Sequence, residues 1–366
     1  YCLETVYDTL TGATTLVLDA ASGAEYYRAD RAAYHRDTTG RGRVFMPDPL
    51  TTAQVYYQKG APYADNGDQN SAFFDDQYVT VSLRAITYDT TRRVFTLDGP
   101  YIRIADIEAP FLQPPTSPDG DFFFDRSQTG FEAVNAYYHI DRYRRRLDTL
   151  GFGALHAFPI RVDPYGASDD NSVFRFVAAL KDSYILFGRG GVDDAEDADV
   201  LVHEYGHSLS NDGSPSTNVG FERKALDEGI CDYIAATYSR TLSAFRWADV
   251  YTWDGHNEFW AGRTAAFTRT YDDLKQDGRR FSEHIWGQLW SSAMMRLWEL
   301  LGPETADRLM LQELYLNGAN MTLRDGGLML LEADTLLYEG AHTEVIQQTL
   351  CAWGLLPPTP RYCPSA

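Results

Sequence analysis

Apolar and polar positions follow two different periods along the 366-residue chain, and the change of period divides it into regions. Up to residue 110, short apolar runs are separated by turns rich in Gly, Pro and Asp, which is typical of β-strands. These runs are 15–18, 43–46, 78–83, 93–97 and 101–104. The pattern predicts a β-rich accessory domain over residues 1–110.

A proline-rich segment separates this region from a long predicted helix. Four prolines between residues 109 and 120 exclude a helix and favour an extended linker, which we assign to 111–125. The helix is expected to begin at Thr129, where Glu132 completes a capping box, and to end at Gly151. Strand-like runs then return at 157–162, 173–177 and 184–187. They predict the sheet of a second region.

Two later helices each combine one apolar face with one polar face. In the first, His203 and His207 are four residues apart, so both imidazoles project from the same side. In the second, Glu228 and Asp232 share a face, one turn apart. The apolar faces consist of Ala198, Leu201, Val202, Tyr205 and Leu209 in the first helix and Leu226, Ile230, Tyr233 and Thr237 in the second. Because the core covers the apolar faces, the polar faces should line a cleft.

This constellation suits one catalytic Zn²⁺. His203 and His207 can bind the metal from adjacent turns, Glu228 can be the third ligand, and a fourth position stays open for water. Glu204 can then take a proton from that water, and Asp232 can orient a ligand histidine through its second ring nitrogen. The competing interpretation is an exposed helix with two chance histidines and an ordinary solvated Glu228. The combined spacing favours the metal site.

Composition narrows the function classes. The chain has 32 basic and 52 acidic residues, a net charge of −20, which argues against nucleic acid as a partner. Apolar content is 44%, but no apolar run reaches the ~18 residues of a membrane span. The chain begins at Tyr1 without a targeting segment, so we expect a mature, secreted, monomeric form. Cys351 and Cys363 can close a disulfide, Cys231 is expected to be a buried thiol, and Cys2 has no assigned role.

The motif His203-Glu-Tyr-Gly-His207, followed by Glu228-Gly-Ile-Cys-Asp232, resembles the glutamate-zinc metallopeptidases. These gluzincins include the thermolysin-like enzymes and, closer to this sequence, the fungalysins. The resemblance covers roughly residues 126–355. It implies an α+β fold with a two-lobed, thermolysin-like zincin catalytic domain, its sheet-containing upper lobe over 126–212 and its helical lower lobe over 213–366.

The resemblance also implies roles for residues outside the two motifs. His284, in the first turn of a helix that opens with Ser282 as the expected N-cap and stops at Gly302, resembles the histidine that contacts the reacting carbonyl, with His256 as a rival donor. Asn171 resembles an edge-strand asparagine that holds substrate, although a turn residue is an equal alternative. Asp199 is expected to support the site from the histidine helix. The tyrosine that binds the oxyanion in thermolysin-like enzymes has no counterpart between residues 208 and 227.

The expected function is a secreted zinc metallopeptidase, an endopeptidase acting on protein or peptide substrates. Ca²⁺ is a candidate additional ion; for the acidic loop 65–70, however, a solvated turn is favoured over a calcium site. Two alternatives belong to other classes. One is a secreted adhesin or binding module with a structural or inactive zinc site, and the other is a metal-dependent hydrolase acting on something other than peptides.

Overall fold

The computed structural model describes residues 2–8, 12–18, 25–30, 38–177, 182–278 and 282–363. Its strands are β1 (Cys2–Asp8), β2 (Gly12–Leu18), β3 (Glu25–Asp30), β4 (Thr38–Val44), β5 (Val79–Asp89), β6 (Val94–Thr96), β7 (Ile102–Ile104), β8 (Thr116–Ser117), β9 (Asp121–Phe122), β10 (Ile160–Asp163), β11 (Val173–Val177), β12 (Asp182–Leu186), β13 (Asp249–Val250) and β14 (Arg263–Thr264). Its helices are α1 (Pro49–Ala53), α2 (Ala72–Asp75), α3 (Phe131–Thr149), α4 (Ala198–Gly213), α5 (Phe221–Leu242), α6 (Tyr271–Gln276), α7 (Glu283–Leu301), α8 (Pro303–Glu313), α9 (Leu323–Tyr338) and α10 (Thr343–Trp353), and a short 3₁₀ helix spans Asp194–Glu196.

The strands predicted in the first 110 residues are present and are distributed over three sheets. Strands β1, β2 and β3 make a three-stranded sheet, and a five-stranded sheet has the order β8-β6-β5-β4-β9. Within the second sheet, β4 pairs with β5 in antiparallel register and with β9 in parallel register. Helices and several sheets therefore share the chain, which is compatible with the expected α+β class.

A four-stranded sheet of order β11-β12-β10-β7 borders the candidate site through β11. Strand β10 is parallel to both β7 and β12, with Ile160 opposite Ile102. Strand β11 is antiparallel to β12 and forms an edge of the sheet. The chain passes from β12 through the 3₁₀ helix directly into α4, so this edge and the histidine helix are close in sequence as well as in space.

Sheet pairing crosses the predicted linker. Strand β7, from the predicted accessory region, pairs with β10 of the predicted upper lobe. Val44, Leu83 and Ile102 also belong to the same apolar core as the buried residues of α3, α4 and α5. The domain ranges 1–110, 111–125, 126–212 and 213–366 remain a prediction, but the two sides of the linker share a sheet and a core.

The start of α3 corrects one expectation. The helix begins at Phe131 behind Gly130, and no side chain caps it. Glu132 does not turn back to the helix start as a capping box requires. It is buried, and its Oε2 accepts a hydrogen bond of 2.6 Å from the hydroxyl of Tyr165. The capping-box prediction at Thr129 is therefore wrong, because Glu132 satisfies a polar group in the interior instead.

Helices α4, α5 and α7 pack together and carry most of the candidate site. The apolar stripes predicted on α4 and α5 are buried. Close approach between α5 and α7 depends on two glycines, since a Cβ at Gly229 would lie 2.5 Å from the carbonyl oxygen of Gly287. Helix α7 begins after Ser282 and ends at Gly302, whose φ is 88°, as the sequence predicts. Ser282, however, makes no side-chain capping bond.

The cysteines behave as expected where the structure describes their side chains. Cys351 and Cys363 form a disulfide, and Cys231 is a buried free thiol. The acidic loop 65–70 is less solvated than predicted, because Asp65 is only 5% exposed and pairs with the buried guanidinium of Arg126 at 2.7 Å. None of the helices in the described ranges combines the length and the apolar content that crossing a bilayer requires.

Candidate metal centre

The histidine motif opens into a cleft of about 810 Å³. The cleft lies between the edge strand β11 on one side and α4, α5 and the start of α7 on the other. Its lining includes the predicted site residues Asn171, His203, Glu204, His207, Glu228 and His284. Asp199 and Asp232 lie behind this surface.

Two histidines and one carboxylate converge at the floor of the cleft. The Nε2 atom of His203 lies 3.4 Å from Oε2 of Glu228, and Nε2 of His207 lies 3.6 Å from Oε1 of the same carboxylate. Atoms bound to one tetrahedral zinc at about 2.0–2.2 Å are about 3.3–3.6 Å apart. The distance from each histidine nitrogen to the Glu228 carboxylate is therefore one that two ligands of a single metal ion can have.

The second ring nitrogen of His203, Nδ1, contacts two polar side chains. Its Nδ1 lies 3.0 Å from Oδ1 of Asp232 and 2.6 Å from the hydroxyl of Tyr251, which itself donates to Asp232 at 2.8 Å. Asp232 thus makes the contact expected of it from the sequence. Tyr251 is a site residue that the sequence analysis missed; because it lies on the Nδ1 side, it orients the ring rather than facing the open position.

His207 has an equivalent partner that the sequence analysis also missed. Its Nδ1 lies 2.7 Å from Oδ2 of Asp227. Asn218 donates to the same Oδ2 at 2.8 Å, while Ser210 and Arg223 donate to Oδ1. Asp227 is therefore fixed by three donors, and both histidines direct Nε2 toward Glu228 because a carboxylate binds each Nδ1.

Electrostatics keep these carboxylates ionised. Burial alone would raise the pKa of Glu228, but hydrogen bonds with His203 and His284 outweigh it and hold that pKa well below its usual range. Burial likewise opposes ionisation of Asp232, but the positive charge of Arg263 and the bond to His203 lower its pKa. Anionic oxygen is the form in which a carboxylate binds a metal or orients a ligand histidine.

Arg263, on β14, is a further residue that sequence reasoning did not find. Its Nη1 lies 3.0 Å from Oε2 of Glu228 and 2.8 Å from Oδ1 of Asp232. It also lines the cleft. A fixed guanidinium here offsets the negative charge of two carboxylates, and it offers N–H donors at the edge of the open space.

Glu204 faces the cleft without a bonding partner for one of its oxygens. The residue is 7% exposed, and its Oε2 has no hydrogen-bond partner within the described part of the chain. A buried oxygen of this kind is normally satisfied by a hydrogen bond. An unsatisfied carboxylate oxygen in a cleft is free to accept a proton or a hydrogen bond from a bound molecule.

The two histidines considered as oxyanion donors have different surroundings. His284 lies in the first turn of α7, is 49% exposed, and its Nε2 is 3.4 Å from Oε1 of Glu228. His256 has its Nε2 at 3.1 Å from the backbone carbonyls of both Val250 and Arg263, so this ring supports a loop. Only His284 of the two lines the cleft.

Of the two remaining predicted residues, Asn171 lines the cleft and Asp199 does not. Asn171 lies two residues before the edge strand β11 and lines the cleft. Asp199 makes its contacts away from the histidines: its Oδ2 accepts from the backbone N–H of Tyr251 at 2.9 Å, and its Oδ1 accepts from Ser239. Asp199 therefore reaches His203 only through Tyr251.

A second set of possible metal ligands shares both histidines with the first set but contains Cys231 in place of Glu228. His203, His207 and Cys231 offer three donor atoms within 4.8 Å of one another, which is compatible with a metal ion. The sulfur of Cys231 lies 3.4 Å from Nδ1 of His207, the nitrogen that Asp227 already contacts. Cys231 therefore lies near Nδ1 of His207, whereas Glu228 lies near Nε2 of the same ring.

No protein-family model matches the chain, and no curated protein matches it.

Proposed function

We propose that this chain is a zinc-dependent metallopeptidase. One observation carries the proposal: Nε2 of His203, Nε2 of His207 and both oxygens of Glu228 converge at 3.4–3.6 Å, while a carboxylate holds each Nδ1. A site with three protein ligands leaves a position open, as catalytic zinc sites do and structural sites do not. An unsatisfied glutamate beside that position adds the base that a purely structural site does not need.

Glu228 is preferred to Cys231 as the third ligand for a geometric reason. A metal at Nε2 of both histidines meets Glu228, whereas a metal shared with Cys231 has to use Nδ1 of His207. Asp227 contacts that nitrogen at 2.7 Å and would have to be displaced. Three donors fix Asp227, so its displacement is costly.

In the proposed reaction, His203, His207 and Glu228 would hold the zinc. A zinc ion held there would supply a coordinated water with a pKa lowered to about 7 and a positive charge that polarises the substrate carbonyl. Glu204 takes the proton of the attacking water on its free Oε2 and passes it to the leaving nitrogen. His284 donates a hydrogen bond to the carbonyl oxygen as negative charge develops there, and Arg263 is a further donor at the same wall.

A peptide is the proposed substrate because of the edge strand. An extended peptide can add to an exposed sheet edge through main-chain hydrogen bonds, and β11 borders the cleft with Asn171 at its start. Phe174 and Phe176, in alternate positions of β11, also line the cleft and can contact apolar side chains. Because a strand-like substrate can extend past the metal in both directions, we propose an endopeptidase. The two-lobed gluzincin arrangement and a secreted location, which the Cys351–Cys363 disulfide favours, belong to the same proposal.

The test is metal analysis of the purified chain together with cleavage of an unstructured protein, with and without a zinc chelator. Glu204→Gln is the informative variant, because it removes the base without removing a ligand. It should retain one equivalent of zinc and lose activity by about 10²–10⁴-fold.

Glu299→Gln, a change in a partly exposed ion pair with Arg240, is the matched control and should leave activity unchanged. Near-normal cleavage by Glu204→Gln would overturn the assigned base. A wild-type chain that holds zinc but cleaves neither peptides nor esters would favour the binding-module alternative, and ester cleavage alone would favour the non-peptide hydrolase.

A further inference from the structure

A second group of carboxylates faces the same cleft. One oxygen from each of Asp170, Asp194 and Asp254 lies within 4.8 Å of the other two, and all three residues line the cleft. They come from separate segments: the loop before β11, the 3₁₀ helix before α4, and the turn after β13. We call this group the aspartate triad.

The backbone brings Asp170 into the triad by unusually close contact. A Cβ at Gly188 would lie 2.3 Å from the carbonyl oxygen of Asp169, and a Cβ at Gly190 would lie 2.4 Å from the backbone nitrogen of Asp170. Any side chain at these two positions would push the loop of Asp170 away. The glycines therefore let two loops pack backbone against backbone, and this contact carries Asp170 to the other carboxylates.

Two oxygens of the triad are buried and have no hydrogen-bond partner among the described residues. Asp194 and Asp254 are 3% and 4% exposed. Oδ2 of Asp194 accepts from the hydroxyl of Ser172, and Oδ2 of Asp254 accepts from the indole N–H of Trp260 at 3.1 Å. Oδ1 of each has no hydrogen-bond partner in the ranges that the structure describes. A buried carboxylate oxygen left in this way is destabilising unless something else binds it.

Another acidic cluster in the same protein is arranged differently. Asp65 and Glu196 are buried too, but the guanidinium of Arg126 lies between them, at 2.7 Å and 2.9 Å. For the triad, no lysine or arginine of the described segments forms such an ion pair. Burial, followed by the charges of Asp170 and Glu204, raises the pKa of Asp194 to about 8. Within the described segments, a basic side chain is therefore paired with one acidic cluster and not with the other.

We propose that the aspartate triad binds a hard divalent cation, Ca²⁺, at a site separate from the histidine centre. Calcium takes oxygen ligands at about 2.3–2.6 Å, so its ligands are at most about 4.6–5.2 Å apart, and the triad falls inside that limit. Carboxylates from three separate segments suit its irregular coordination, while water can complete the shell from the cleft. The site depends on neither the zinc ligands nor peptide cleavage.

The test is calorimetric titration of the full chain with CaCl₂, carried out with one equivalent of zinc already added so that the two metals are distinguished. We expect one Ca²⁺ per chain with a dissociation constant of about 10⁻³ M or lower. Asp194→Asn keeps the shape of the side chain and removes one charged ligand, so it should weaken Ca²⁺ binding by about tenfold or more. Mg²⁺ should bind more weakly, because it demands stricter geometry and keeps its waters.

Asp141→Asn is the matched control, since Asp141 is also buried with one unpartnered oxygen but lies outside the cleft. It should bind Ca²⁺ as the wild type does. Because Asp170 is exposed, Asp170→Asn serves as a second triad variant if Asp194→Asn does not fold. A wild-type chain without saturable Ca²⁺ binding, or triad variants that bind like wild type, would overturn the proposal. The proposal is also overturned if Ca²⁺ does not bind but arginine-containing peptides do, and the triad variants lose that peptide binding. That result would assign the triad to a cationic side chain of the substrate.

Discussion

Two groups of side chains line one cleft, and they differ in the backbone that carries them. The candidate zinc ligands His203, His207 and Glu228 stand on the long helices α4 and α5. The aspartate triad stands on a loop, a single 3₁₀ turn and another loop. A helix fixes the spacing of its side chains by its own hydrogen bonds, whereas loop residues keep their positions only through contacts with other segments.

This difference predicts different behaviour when each group is disturbed. Changes in the helix-borne group should remove zinc and activity but leave the fold, because the apolar faces of α4 and α5 remain buried. The triad, in contrast, should gain order from its cation, since binding to the folded state alone stabilises it.

The largest effect is expected from Glu228→Ala. It removes one of three protein ligands, so zinc should be lost on dialysis and cleavage should fall to the level of the metal-free chain. Elemental analysis measures the bound zinc, a cleavage assay measures the activity, and circular dichroism checks that the fold is kept. Glu304→Ala, on the exposed start of α8, is the control and should keep its zinc. Full zinc occupancy and activity in Glu228→Ala would contradict the ligand assignment.

A smaller effect is expected from His284→Ala. Loss of one oxyanion donor typically lowers turnover by about 10²–10³-fold, so kcat should fall while zinc stays bound and KM changes little. His256→Ala is the comparison. Because its ring bonds two backbone carbonyls, that variant should lose thermal stability and much less kcat. If steady-state kinetics give the reverse order, the loop histidine faces the substrate.

The smallest effects are expected from the two aspartates behind the histidines. Asp232→Asn and Asp227→Asn should each weaken zinc binding about 10–100-fold, because each leaves one ligand ring less firmly oriented. Competition with a chromophoric chelator measures both affinities. Cys231→Ser is the control that separates the two donor sets. It should retain zinc if Glu228 is the ligand, and a loss comparable to that of Glu228→Ala would assign the sulfur instead.

The parts of the site that the sequence predicts are those with helical periodicity. His203 and His207 share one face of α4 because they are four residues apart, and burial of the apolar faces of α4 and α5 turns Glu228 toward them. The same regularity explains why α7 begins and ends where expected. The Thr129 capping box fails because a short local motif does not reveal that Glu132 has a buried partner in Tyr165.

The residues missed by the sequence analysis have no periodic signal. Tyr251 and Arg263 belong to the hairpin of β13 and β14, strands of two residues each, which are too short to show a pattern. Asp227 precedes Glu228 by one residue and therefore points about 100° away from it around α5. His207 contacts Asp227 because α4 crosses α5 at this point. An acidic residue next to a proposed ligand on a helix that crosses the histidine helix is the signal that could have identified it.

The contact between Gly229 and Gly287 has a mechanical consequence. Helices whose backbones touch without intervening side chains cannot slide or separate by small rotamer changes, so α5 and α7 should move as one body. Glu228 is adjacent to Gly229, and His284 lies near Gly287 on α7. These two side chains then keep their separation during any opening of the cleft. Motion that admits a substrate has to occur on the opposite wall, where β11 ends its sheet.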